Sequence, residues 1–583
     1  MGWGDRGNRG DRSGQRHLGE IWFGGRKLAH ATPLSDPRRM SESGDVPRSW
    51  IAVRSAWRTR SGYIAFVGLL AAFAVLAGVL VARSSFPTIE GRTGFCLFDD
   101  AMISLRYAAN LATGNGLVWN AGERVEGFTN PFMVFLMAVI HRAAGPWYAP
   151  LFVQILGGLT FLWGLCLVAS IARHEVGHDT DTPVLAAVAG VGAFYPLLYW
   201  SVMGMETGLL TALLLAAFRA DQDGVGARPS GALVVASGLA VLTRMDAVLF
   251  VGVLFAFRLP RAGRSGARVV LVEAGWAALP VVAYVLWRRG YYGQWLPSVY
   301  YLKLAGLPLL ARLRNGVAFC APMLPLVAVD ATVVVAALRL RRAPGPGSQL
   351  PVVWRAIALF VVALLYQLSA GGDAWPPYWR FTVPAQVVLI VAAAITVRKL
   401  VVAGIWSRRA GDAALIGLVA FAAVDSLRLY QDLRTFVPWT TDFNYRHTNT
   451  GLALRRLTTP SATVAAYWAG ALPYFAERAA IDPLGKMDAR IARGQAVRTA
   501  AWGGMQSVPG HNKVDLSYSF VSKRPTFIQY SDLSCVFGGV DLRAWCAENY
   551  VRANVAGRLP MLLLKDSPDV RWDLLRPGPT LFQ

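Results

Sequence analysis

The chain has 583 residues, 54% of them hydrophobic and only 16% charged, and its mean hydropathy is positive. That balance excludes an ordinary soluble protein of this size and points to a membrane protein. Lys and Arg total 58 against 35 acids, a formal charge of +23. The cations lie between apolar segments rather than on one aromatic-studded face, which argues for topology signals and against nucleic acid as a partner.

Residues 1–60 are rich in Gly, Arg, Ser and Asp, with Pro33, Pro37 and Pro47 and no apolar period, and read as a disordered cytoplasmic tail. The apolar stretch 62–82 that follows is long enough to span a bilayer rather than to serve as a cleaved leader, and Arg54, Arg58 and Arg60 flank its inner side. Further apolar segments lie near 149–172, 183–200, 207–220, 231–243, 247–257, 269–287, 317–338, 352–370, 383–397 and 413–427, about eleven transmembrane helices in all. With the tail inside, alternate loops hold Arg173; Arg219 and Arg228; Arg258, Arg261, Arg264 and Arg268; Arg339, Arg341 and Arg342; and Arg398, Lys399, Arg408 and Arg409, as the positive-inside rule requires. The short apolar stretch 131–140 would invert this order if it crossed, and reads as a juxtamembrane or re-entrant element. One outer loop, 288–316, breaks the rule with Arg288, Arg289, Lys303, Arg312 and Arg314. Either the count is off there or those cations bind something anionic.

The expected fold is thus a polytopic α-helical membrane core, 61–427, with a first external loop at 83–148, followed by an extracytoplasmic α/β domain at 428–583. In that last region "ATVAAYWAGALPYFAERAAIDPLG" reads as strand, Gly-turn, helix and strand, and "RPTFIQYS" and "LPMLLLKDS" as further strands. Five cysteines show no metal spacing; Cys535 and Cys546 either pair, if the region is extracytoplasmic, or are free thiols.

The outward turns carry the candidate chemistry, because ionisable groups beside membrane segments are costly unless they face a cavity. Asp99 and Asp100 open an amphipathic helix striped by Met102, Leu105 and Ala109. Two readings compete: an N-terminal cap, or a desolvated carboxylate able to take a proton from a sugar hydroxyl. A metal site is a weaker third, since no supporting ligand stands near. Glu206 caps the next span or contacts a substrate hydroxyl. Arg244 and Asp246 pair across a tight turn or face a ligand. Lys303, beside Tyr300 and Tyr301, is an interfacial snorkelling lysine or a phosphate ligand. Asp373 and Arg380 stand in "GGDAWPPYWRFTVP", where an aromatic belt competes with guanidinium recognition of phosphate. Cations and carboxylates on one side of a membrane suit a phosphate-linked lipid substrate and a hydroxyl-bearing acceptor.

The order of "DDAMISLRYAANLATGNGLVWNAGERVEGFTNP", "SVMGMETGLL", "LTRMDAVL", "YYGQWLPSVYYLK", "GGDAWPPYWRFTVP", "IDPLGKMDARIAR" and "PGHNK" resembles the GT-C superfamily of polyprenyl-phosphate-sugar glycosyltransferases, and within it the mycobacterial-type terminal arabinofuranosyltransferases. The resemblance implies a catalytic first external loop, a lipid-linked donor entering sideways from the bilayer, and a C-terminal external domain. It casts Asp99 as general base supported by Asp100, Arg244, Lys303 and Arg380 as ligands of the donor phosphate, and Glu206, Asp246 and Asp373 as sugar or acceptor contacts. His511 and Lys513 reach back from the C-terminal region, or simply form a surface turn after Pro509-Gly510. The implied reaction moves a sugar, arabinofuranose by likeness, from decaprenyl phosphate to a cell-wall glycan hydroxyl, with no cofactor expected and a divalent metal left open. A lipid or polysaccharide flippase and a non-catalytic envelope or motility assembly protein are the rivals. A transporter would place ionisable groups near mid-membrane on both sides, whereas these gather on one face.

Overall fold

A computed structural model describes residues 57–341, 351–373, 379–495, 509–529, 536–537, 540–555 and 559–575. Most of the expected cytoplasmic tail and one member of the Cys535–Cys546 pair lie outside the described residues.

Helix α1 (Arg60–Ser84) begins where the Thr59 side chain accepts from the Gly62 amide, and a two-stranded ribbon of β1 (Phe86–Pro87) and β2 (Thr93–Gly94) leads into α2 (Asp99–Ala112). Next, α3 (Pro131–Val176) is interrupted at Gly145, whose φ of 73° and ψ of 169° leave the helical region. The arm before the break is about 14 residues, near 21 Å at 1.5 Å per residue, too short for a bilayer core of about 30 Å. α4 (Thr182–Ala193) and α5 (Tyr195–Val202) meet at a 54° bend. Then follow α6 (Thr207–Gln222), α7 (Gly231–Thr243), α8 (Val248–Arg261), α9 (Gly263–Tyr292), the short α10 (Ser298–Leu304), α11 (Leu309–Cys320), α12 (Leu324–Arg341), α13 (Pro351–Ala370) and α14 (Val383–Val402).

All eleven expected apolar segments fall on helices, but they are not eleven full-length crossings. Among the described residues five helices are long and apolar enough to cross a membrane, or six if the bent pair α4–α5 is one span. The difference is length: α6, α7 and α8 have 16, 13 and 14 residues, where a crossing takes about 20. The segment expected at 317–338 is divided by a 3-10 turn at Ala321–Met323. Burial separates the spans. In α14, 78% of the apolar window is enclosed by protein, against 17% in α1, so α14 is central and α1 faces lipid.

No linker separates core from C-terminal region at 427–428. Instead α15 (Arg408–Leu457) runs through that point for 50 residues, started by the Ser407 hydroxyl on the Ala410 amide. Beyond it come β3 (Thr463–Ala465), α16 (Ala471–Ala476), β4 (Ala479–Ile481), α17 (Ala489–Arg493), β5 (Phe527–Ile528), a ribbon of β6 (Val536–Phe537) and β7 (Val540–Asp541), α18 (Leu542–Asn549), β8 (Tyr550–Val555) and β9 (Leu559–Leu564). The main sheet has the order β4-β3-β5-β9-β8. Its β3 pairs parallel with β4 and β5, while β9 is antiparallel to β5 and β8. Strand, turn, helix and strand therefore fall where the sequence pattern placed them.

One end of the helical core is tied by a buried ion cluster. Arg258 of α8 forms a bidentate pair with Glu273 of α9, at 2.8 and 3.0 Å, and a 2.8 Å bond to Asp221 of α6. Asp221 also accepts from Arg355 of α13 and from Arg261 at 3.1 Å. Arg258 is therefore no solvated loop cation: it is 1% exposed. The other ends of α6 and α8 begin just after Glu206 and Asp246, so the same two short helices have charge at both ends.

Removing one member of a buried ion cluster strands the rest, at a cost of about 3–5 kcal/mol. Asp221→Asn is expected to lower the apparent Tm of the detergent-solubilised protein by that order. Arg219→Ala, which opens the exposed pair with Asp223, changes it by less than about 1 kcal/mol. Equal effects of the two in thermal melts would refute the clamp.

Candidate active site

Asp99 does not cap its own helix. Its Oδ1 accepts from the amides of Gly470 (3.2 Å) and Ala471 (3.1 Å), at the N-terminus of α16. Two turns along the same face of α2, the Arg106 guanidinium donates to the carbonyls of Pro473 and Arg478 at the opposite end of α16, and to Trp119 and Asn120 of the first loop. An acid at the amide end and a cation at the carbonyl end match the dipole of the peptide groups between them. Asn120 completes the seam, donating to the Ala480 carbonyl at 2.8 Å and accepting from its amide at 3.0 Å. The approach is close enough that a Cβ on Gly470 would lie 2.1 Å from the Asp99 carbonyl oxygen. Burial pushes the Asp99 carboxyl up to about 7, against Lys486 and the two amides, which favour the ionised form.

Asp100 points elsewhere. Its Oδ1 accepts from Lys486 Nζ at 2.8 Å and its Oδ2 from Arg380 Nη1 at 2.9 Å. Arg380 in turn holds Asp373 in a bidentate pair, at 2.7 and 3.1 Å, and Lys303 Nζ stands 3.6 Å from Asp373. Burial opposes ionisation of both acids, but Lys486, Arg380 and Lys303 hold Asp100 well below the usual carboxylate range, and Arg380 and Lys303 lower Asp373. Burial draws the Lys303 ammonium down despite Asp373, with Arg380 and Lys486 adding to the effect.

Glu206 and Asp246 share Arg244. The guanidinium donates to Glu206 at 2.7 Å and to both oxygens of Asp246 at 2.9 and 2.8 Å, and Asn130 of the first loop donates to the other Glu206 oxygen at 3.0 Å. Glu206 makes no cap bond to α6. The Phe381 ring lies beneath three cations, with Arg244 at 4.2 Å, Arg380 at 5.2 Å and Lys303 at 5.7 Å from its centroid. Arg244, Asp246 and Arg380 line a small pocket with the apolar Leu210, Leu249, Phe250 and Val362 and with Tyr366 and Phe381. Guanidinium groups are suited to an anionic head group.

His511 and Lys513 part company. Burial, with Lys486 close by, brings His511 down to about 4, so its imidazole is neutral beside the cluster; the adjoining Gly510 packs against the Lys303 side chain. Lys513, by contrast, donates to the carbonyls of Tyr301 and Ala492 at 2.9 and 2.8 Å, fastening α10 to α17. It is a strut rather than a sugar contact, because its ammonium is enclosed by backbone carbonyls. Asp99 is 5% exposed and engaged by backbone, whereas the Asp100 side chain is 29% exposed. Lys486 and Arg106 escaped notice as site residues. The signal for Lys486 was its place between two acids in "DPLGKMD". Two of the five cations that broke the loop rule have acidic partners, Arg288 with Glu126 and Lys303 with Asp373, while Arg289 and Arg312 donate to backbone carbonyls.

The helices and cluster define a multi-pass membrane protein with a charged site beside a small, partly apolar pocket. A protein-family model described as Domain of unknown function (DUF8728) matches residues 438–559. The chain is similar to proteins named terminal beta-(1->2)-arabinofuranosyltransferase from Mycobacterium tuberculosis, 32% identical over 212 residues, and from Corynebacterium glutamicum, 30% identical over 244 residues. The matches cover 34% and 37% of this chain, and the chain spans about a third of the length of each relative, 34% in both. A solved structure of ArnT from Cupriavidus metallidurans in the apo state aligns over 85% of this chain and 98% of that one, with 12% identity and a TM-score of 0.49. The architecture above stands on this chain's own helices and sheet.

The Asp99 carboxyl has a folded pKa near 7 against an ordinary 3.8, so its contribution to stability is full below about pH 4 and is lost as pH rises through 7. Asp99→Asn keeps an oxygen for both amides and does not titrate. Its Tm relative to the wild type is expected to rise from about pH 5 to about pH 8; a difference that does not change with pH would contradict the assignment. Gly470→Ala, which forces α16 off α2, is expected to expose the seam to limited proteolysis, and an unaltered digestion pattern would count against that contact.

Proposed function

We propose that the chain is a membrane glycosyltransferase that moves a sugar from a polyprenyl phosphate to a hydroxyl of a cell-wall glycan at the outer face of the membrane. The observation that carries this reading is the double role of Arg380: it lines the small pocket beside Leu249, Phe250 and Val362 and also binds Asp100. In this reading the lipid phosphate meets Arg380 and Lys303, and an acceptor hydroxyl beside it meets Asp100. Arabinofuranose as the sugar and decaprenyl phosphate as its carrier rest on the resemblance, with support from the names of the relatives. The outer face rests on the distribution of loop cations.

In the proposed step the acceptor O–H gives its proton to Asp100 as its oxygen bonds to the anomeric carbon. The bond from that carbon to the phosphate oxygen breaks, and the electron pair leaves with the polyprenyl phosphate. Arg380 and Lys303 stabilise the charge that grows there. Phosphate also draws Arg380 away from Asp100, which raises the proton affinity of the carboxylate at the moment it is needed. Asp99, Asp373, Glu206 and Asp246 position the loop and cations, and neutral His511 borders the acceptor side.

Transfer of label from decaprenyl-phospho-arabinose to an arabinan oligosaccharide by the purified protein tests the reading. Asp100→Asn is expected to lose roughly 10²- to 10⁴-fold in kcat while still binding the lipid, and Asp99→Asn less than about tenfold. A wild type that binds the donor but transfers to no arabinan or galactan acceptor would sink the proposal.

A further inference from the structure

Lys486 stands on a loop whose shape does not need it. Residues 482–488 join β4 to α17, and Asp482, 2% exposed, accepts from the amides of Leu484 and Met487, each at 2.9 Å. Asp488 caps α17 through the amides of Arg490 and Ile491 at 2.9 and 3.1 Å. Between them Gly485 takes a φ of +77°, and a Cβ there would meet the Ile491 side chain at 2.6 Å. The Lys486 carbonyl rests against Gly127 of the first loop, 3.0 Å from where a Cβ would stand. With the backbone held by two acids and a glycine, the lysine side chain is left to one task, the 2.8 Å bond to Asp100.

The charged groups facing Asp100 come from five places. Lys486 belongs to this loop, Arg380 precedes α14, Lys303 lies on α10, neutral His511 sits in the turn at 509–513, and Asp99 is its neighbour on α2, with Asp373 behind Arg380 and Lys303. Arg380 lines the small pocket, and Lys303 shares the Phe381 ring with it. Once a phosphate there has engaged both, Lys486, bonded to the other Asp100 oxygen, is the cation of this set that stays with the carboxylate.

We propose that Lys486 is a positioning residue for the transfer step, holding the Asp100 carboxylate ionised and aimed once the donor phosphate has taken Arg380, so that the site is complete only when the C-terminal region is seated on the first loop. The inference rests on Asp100 as the base. Asp99, Asp100 and Asp482 all act on this ammonium, and Asp100 raises it most. Removing it therefore raises the proton affinity of Asp100. A base must be unprotonated to act, so a variant without the ammonium loses activity as pH falls, while the wild type does not.

The test uses the full-length protein in nanodiscs, with labelled decaprenyl-phospho-arabinose and an arabinan oligosaccharide. For Lys486→Met, kcat/KM is expected to fall roughly tenfold more than the wild type's between about pH 8 and about pH 5.5, and Lys486→Arg is expected to restore the flat profile. Binding of decaprenyl phosphate is expected to change less than about threefold in both. Should Lys486→Met not fold, Lys486→Gln removes the same charge and carries the same comparison. A flat profile in the uncharged variant overturns the inference, and so does a loss of lipid binding of about tenfold or more, which would make Lys486 a phosphate ligand. Transfer that survives in Asp100→Asn defeats the base reading itself; an inactive Asp100→Asn beside a flat uncharged variant defeats only the role of Lys486.

Discussion

The seating of α16 between Asp99 and Arg106 is the contact on which the rest of the site depends. One face of α2 presents opposite charges, two turns apart, to the two ends of a six-residue helix. Few apolar contacts would specify that register so narrowly, since a one-turn slip leaves an acid facing carbonyls and an arginine facing amides. Through it the first loop and the C-terminal region become one body, with Asn120 and the Trp119 indole, which donates to the Ala469 carbonyl at 3.3 Å, adding further hydrogen bonds along the seam. Successive residues of a helix are turned by about 100°. Fixing Asp99 toward α16 therefore fixes Asp100 away from it, toward Arg380 and Lys486. The adjacent acids cannot share a task.

Charge balance decides which cations a phosphate can recruit. Four carboxylates, Asp100, Asp373, Glu206 and Asp246, face four cations, Arg380, Lys303, Lys486 and Arg244. Among the described residues these eight charges balance, with Asp99 set apart against backbone amides. An incoming anion has to displace an acid from each cation it uses, and the displacement is hardest where the existing pair is bidentate and enclosed. Arg244 and Arg380 each hold two carboxylates, one of them bidentate. Lys303 touches Asp373 only at 3.6 Å and carries an ammonium made less basic by burial. It is the cation least tied to an acid.

Much of the architecture was legible because apolar runs and Gly or Pro breaks report local structure directly. Every apolar segment became helix, and the strand, turn and helix order after residue 460 came out as its pattern suggests. The length of spans was less legible, because hydropathy does not say whether a 14-residue apolar helix crosses alone or packs inside a core. Site membership was legible in part. Asp100, Lys303, Asp373 and Arg380 stand in outward turns, where an ionisable group beside a membrane segment is already anomalous. Lys513 entered through the resemblance alone, and its partners, the carbonyls of Tyr301 and Ala492, are not encoded in the turn that carries it. The roles of Asp99 and Lys486 were hidden because their partners are 371 and 386 residues distant, and no local pattern encodes such a pairing.

The short helices that fell below the length of a crossing matter for the chemistry. α6 and α8 run from the Glu206 and Asp246 end of the active cluster to the Asp221 and Arg258 knot, a distance of only about 21–24 Å at 1.5 Å per residue. A bilayer core is about 30 Å thick, so charged groups fixed at both ends of such helices bring at least one of the two clusters below the hydrocarbon boundary. The knot answers that constraint by enclosing and pairing its charges completely. The cluster at the other end is paired but partly open, since the Asp100 side chain is 29% exposed while Arg380 is 7% exposed. The two ends thus meet the same constraint differently: one encloses all its charges, and the other leaves one carboxylate within reach of solvent.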